Sequence, residues 1–101
     1  MDTQNQNPQI PGQMQVKVSD EVLKGTYANM VQVGHTPEEF VLDFMNILPP
    51  TGILASRIIM SPTHFKRVLA AMQDNLKLYE SQYGTVSVMA APEQKIGFKT
   101  E

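Results

Sequence analysis

The chain has no cysteine, no tryptophan and only two histidines. Without cysteine there can be no disulfide and no thiolate metal site. His35 and His64 alone are too few imidazoles for a structural zinc centre. No stretch approaches the roughly 20 consecutive apolar residues that a membrane span requires. The first residues show no basic segment followed by an apolar one, so neither a span nor a secretory signal is expected. An excess of positive charge is also missing. The formal net charge is −2, whereas duplex-DNA binders draw much of their affinity from Lys and Arg neutralising phosphates. The lack of cysteine agrees with a reducing, cytoplasmic setting.

Catalytic signatures are missing as well: no G-x-S-x-G, no H-E-x-x-H, no phosphate-binding glycine loop and no dinucleotide fingerprint. His35 with Glu38 and Glu39 reads as a polar hairpin turn. General acid–base work needs an organised second group, and neither Asp43, His35 nor His64 has one in view. No catalytic residue, cofactor or metal is therefore expected.

A chain of 101 residues is at most one domain. Residues 1–13 are rich in Gln, Asn, Pro and Gly and too poor in apolar residues to offset their ordering entropy. They read as a disordered arm. Residues 90–101 read as a flexible tail, or as a short peptide that docks on a partner through Ile96 and Phe98. A single α+β domain is left at residues 14–89. A domain of that size buries only about 60% of the surface its unfolded chain exposes. Disulfides, a metal or oligomerisation usually compensate, and the first two are excluded.

Four strands are predicted. Met14, Val16 and Val18 alternate with polar neighbours at a period of two, and Ser19, Asp20 and Glu21 begin a connection ending at Gly25. The second strand runs from Thr26 to about Val33, with a break in its alternation near Met30. A bulge there, or burial on both faces, would explain the break. Pro37 cannot donate to a ladder, so pairing stops in the turn Gly34–Glu38. The third strand, Glu39 to about Ile47, sets Phe40, Leu42 and Phe44 on one face and Val41, Asp43 and Met45 on the other. Asp43 thus points toward an open face, with Arg57 as its cross-strand partner. After the Pro49-Pro50 breaker the fourth strand covers Ile53 to Met60. Short connections make antiparallel hairpins the economical topology.

Ser61 is a good N-cap, and Pro62 suits the first helical position. Phe65, Val68, Leu69, Met72, Leu76, Tyr79 and Tyr83 then form one apolar stripe at the 3.6-residue period, and Gly84 ends the helix. Ala71 and Leu78 mark a narrower second track. Thr85–Met89 is either a short final strand or the root of the tail. A helix of about 22 residues is about 33 Å long, whereas strands of about eight residues span about 26 Å. The last turn therefore overhangs, and Met72, Leu76, Tyr79 and Tyr83 are expected to pair with a second copy across a two-fold axis. The expected fold class is α+β, β-β-β-β-α, dimeric.

Lys17, Tyr27, Asn29 and Arg57 together make a polar, aromatic, partly basic sheet surface, the composition of a platform for single-stranded nucleic acid. Lys66 and Arg67, beside His64 in the first helical turns, extend the positive charge to the helix start, where free N–H groups favour anions. A solvated sheet face and helix start is the alternative.

The segments G-x-Y-A-N (Gly25 to Asn29), H-T-P-E-E-F (His35 to Phe40), L-D-F (Leu42 to Phe44), S-P-x-H-x-K-R (Ser61 to Arg67) and N-L-x-x-Y-E-x-x-x-G (Asn75 to Gly84) resemble the bacterial domain-of-unknown-function family 3467 over Val18 to Gly84. That resemblance implies no activity. The element order is similar, more loosely, to the single-stranded-DNA-binding transcription coactivators. What is expected is a non-enzymatic homodimeric binding module, either nucleic-acid-binding and transcription-associated or a protein-interaction subunit of a larger assembly that its tails contact.

Overall fold

A computed structural model describes residues 12–89 and 95–101. Most of the proposed N-terminal arm and the first half of the proposed tail lie outside the described residues. The element order is α1 (Asp20–Leu23), β1 (Met30–His35), β2 (Phe40–Leu48), β3 (Thr51–Met60) and α2 (Pro62–Tyr83). The three strands form one antiparallel sheet in the order β1-β2-β3. The protein is thus α+β, a three-stranded meander running into one long C-terminal helix.

The strand expected at Met14–Val18 is not formed; the segment has no regular structure and its apolar side chains are exposed. Period-two alternation provides two unlike faces, but a strand also needs an edge to pair with. The connection after it is a single helical turn. The Ser19 hydroxyl accepts from the Val22 N–H at 3.2 Å, and Asp20 and Glu21 sit in the first turn, where the helix dipole favours acids. Gly25 follows at φ 83°, a conformation that favours glycine.

The second strand begins at Met30, not Thr26, so the broken alternation marks a strand end rather than a bulge. One step before it, the Asn29 N–H donates to the Met45 carbonyl at 3.0 Å. The turn between β1 and β2 is closed by the Thr36 N–H donating to the Glu39 carbonyl at 2.9 Å, and the Thr36 hydroxyl accepts from the Glu38 and Glu39 N–H groups. β2 and β3 are joined through Pro49-Pro50, whose peptide bond is cis.

Chain contacts gather into two units. One holds the chain up to Gly34 with Leu42–Ile58; the other holds His35–Val41 with the chain from Ile59 on. Among the described residues the buried ones, Leu42, Asp43 and Met45, lie on β2 in the first unit. β2 is the central strand; Phe40–Met45 are buried or half-buried, whereas Asn46 and Leu48 near its end are exposed.

In the second unit, α2 starts and stops where local chemistry dictates. Ser61 caps it, accepting from the His64 N–H at 3.3 Å. Gly84, at φ 96°, ends it, its N–H donating to the Glu80 carbonyl at 2.9 Å. The Val86 N–H then returns to the Glu80 carboxylate at 2.8 Å, and Thr85–Met89 forms no strand. Phe65 stacks flat on Phe40, ring centres 4.1 Å apart, and His35 tilts against Phe40 at 5.5 Å. These rings anchor the first turns of α2 on the start of β2.

Candidate functional site

The Asp43–Arg57 pair is the principal charge cluster of the sheet. Arg57 Nε donates to Asp43 Oδ1 at 2.7 Å and Nη2 to Oδ2 at 2.9 Å, a bidentate fork across β2 and β3. The expected partnership is present, but the expected open face is not: Asp43 is only 6% exposed. β2 is flanked on both sides, so its outward-pointing carboxylate is covered by neighbouring side chains. The Arg57 hydrogen bond holds the Asp43 carboxyl below the usual carboxylate range, against burial, which pushes it up; the nearby positive charge adds to the lowering. The same hydrogen bond pushes Arg57 up.

A stability dependence on pH follows. A carboxylate with a lowered folded-state pKa stabilises fully above its unfolded value of about 3.9, and that contribution is lost as pH falls through the folded value. Arg57→Ala leaves a covered carboxylate without its cation, so burial raises the Asp43 pKa. The variant is therefore expected to be less stable than the parent at neutral pH and to close the gap as Asp43 protonates in acid. Asp43→Asn should remove this pH dependence. Urea titrations at pH 7 and at about pH 3, below the unfolded value of about 3.9, measure both; a gap of constant size would refute the assignment.

Asn29 is the residue whose role the sequence did not reveal. Its amide nitrogen donates to the Ile47 carbonyl at 2.9 Å, and its amide oxygen accepts from the Ile47 N–H at 2.8 Å. The side chain thus mimics one more step of the ladder, satisfying a β2 peptide beyond the end of β1. Its placement where the alternation breaks, just before Met30, was the available signal. With Ala28, Met30, Val31 and Phe44 it lines a shallow, open depression that offers no titratable group.

Lys17 and Tyr27 are exposed in the first unit, Tyr27 at 72%. Lys66 and Arg67 are exposed on α2 in the second. At the α2 start, the His64 N–H is taken by the Ser61 hydroxyl and the Phe65 N–H by the Ser61 carbonyl. Met72, Leu76, Tyr79 and Tyr83 are 55%, 49%, 49% and 73% exposed, and the two tyrosine rings lie 5.0 Å apart. Among the described residues no three His, Cys, Asp or Glu side chains group as a metal site, and no helix is long and apolar enough to cross a membrane.

Fold and site together define a small α+β protein whose sheet polar groups are used to hold the sheet together and whose long helix keeps an apolar stripe uncovered. The chain belongs to the family described as Protein of unknown function (DUF3467), which matches residues 1–88. The match reaches beyond the Val18–Gly84 motifs at both ends. No curated protein and no solved structure matches the chain.

Proposed function

We propose that the protein is a non-enzymatic, cytoplasmic, homodimeric binding module with single-stranded nucleic acid as its ligand, accessory to transcription. The observation that carries this is the uncovered stripe of α2. Leu69, Met72, Leu76, Tyr79 and Tyr83 share one helix face and are 46%, 55%, 49%, 49% and 73% exposed in a single copy. A contiguous exposed apolar stripe is often functional, and two-fold homodimers are the commonest soluble oligomer that would cover one. A fourth strand belongs to the same reading. Met14, Val16 and Val18 retain strand alternation in an exposed segment, and such a segment pairs when assembly presents it with an edge.

The ligand rests on exposed Tyr27 and Lys17 in the first unit, on exposed Lys66 and Arg67 as a separate basic pair on α2, and on the similarity in element order to the single-stranded-DNA-binding coactivators. Binding of fluorescent single-stranded DNA and RNA at two salt concentrations tests it. Affinity should fall as salt rises. Tyr27→Ala should cost about 1–3 kcal/mol, the usual value of one stacked base. Absence of binding at low salt would remove the nucleic-acid ligand and leave the dimer.

A second reading, a protein-interaction subunit, is favoured by two facts: the Arg57 fork is committed to Asp43, and the Asn29 amide to Ile47. Pull-downs with and without residues 90–101 test it, and identical partner lists would discard a role for the tail.

A further inference from the structure

β3 presents a contradiction between composition and position. Its ten residues, TGILASRIIM, are apolar on both faces and carry one charge. A strand apolar on both faces has the pattern of an interior strand covered from both sides. β3 nevertheless lies at the edge of the β1-β2-β3 sheet. Natural edges are protected by lysines, prolines, inward charges or bulges. β3 has no lysine or proline, and its Arg57 is forked onto Asp43 of β2. The opposite edge, β1, is shorter, and its Val31 and Val33 alternate with Gln32 and Gly34.

We infer that β3 pairs antiparallel with β3 of a second copy about a two-fold axis at Ser56, making one continuous sheet across the dimer. This rests on the two-copy reading above and specifies its geometry. Direct opposition across such an axis requires residues on the same face, and a centre at Ser56 satisfies both faces at once. Ile53 lies opposite Ile59 of the partner subunit, and Leu54 opposite Ile58 of the partner subunit. The bulky Arg57 lies opposite the small Ala55 of the partner subunit. A centre at Ala55 would instead set Arg57 against Ile53. A centre at Arg57 would set two guanidinium groups against each other, and like charges directly opposite are destabilising.

The exposed side chains agree with this. Ile53, Leu54, Ile58 and Ile59 are 68%, 40%, 42% and 54% exposed, and a strand added at an open edge supplies main-chain hydrogen bonds as well as apolar contact.

The chain has no cysteine, so Ser56→Cys creates a unique thiol opposite its own copy. Directly opposed Cα atoms in an antiparallel pair lie about 4.5–5.5 Å apart, within the range a disulfide accepts. Under mild oxidation of the full-length protein at micromolar concentration, the disulfide-linked dimer should be the major species for Ser56→Cys and a trace for Val33→Cys on β1. Circular dichroism checks that each variant keeps the parent fold. A mixture of Ile53→Cys and Ile59→Cys proteins tests the same register independently and should give the mixed disulfide. If Ser56→Cys stays reduced while sedimentation shows a dimer, the β3 pairing is overturned and the homodimer stands. If Val33→Cys cross-links in its place, the joint is β1 and the inference is overturned. A monomer throughout the micromolar range overturns both.

Discussion

Met45→Ala is expected to lower folding stability by about 2–5 kcal/mol, the range for truncating a fully buried aliphatic side chain. Met45 is 1% exposed, and Leu42 is the only other buried apolar residue among those described. Little neighbouring core exists to collapse into the space. Natural domains hold only about 5–15 kcal/mol in total, so the variant should unfold at a much lower urea concentration. Met45→Leu nearly conserves volume and should cost less than about 1.5 kcal/mol. The titrations need one fixed protein concentration, because assembly stabilises the folded state by mass action. A loss below about 0.5 kcal/mol for Met45→Ala would mean that β2 is not the covered strand.

The double substitution Leu76→Lys with Tyr79→Lys is expected to weaken the dimer by at least about 30-fold, the equivalent of one interface hot spot of about 2 kcal/mol. Lysine is a good helix former, and both side chains are about half exposed in the single copy. The monomer should therefore lose only tenths of a kcal/mol at most, as for ordinary surface changes. Sedimentation should show a shift to monomer with helical circular dichroism retained. A variant that unfolds at every concentration would show that its own chain covers the stripe, and the dimeric reading would then fall.

The helix was legible almost to the residue because its limits are set locally. Ser61 satisfies a first-turn N–H, Pro62 gives up no hydrogen bond, and Gly84 takes a backbone angle that other residues avoid. β2 and β3 were legible to within one or two residues from alternation and from the Pro49-Pro50 break. The Asp43–Arg57 partnership was legible because alternate residues share a face. The burial of Asp43 was not, since it depends on what lies over the central strand. Asn29 is exposed, as its place near a strand suggests, but its clasp on Ile47 is not legible locally because the partner lies 18 residues away. The Met14–Val18 strand is not formed in the single copy for a related reason, since alternation describes one segment and pairing involves two.

From the sequence alone came the order of β1, β2, β3 and α2, the ends of that helix, and the absence of any cysteine for a disulfide. Each depends on residue chemistry acting over a few positions. The tertiary structure decided which strand is central, that the carboxylate beneath Arg57 is covered, and that β3 and the helix stripe remain exposed in one copy. These depend on surfaces brought together from distant parts of the chain.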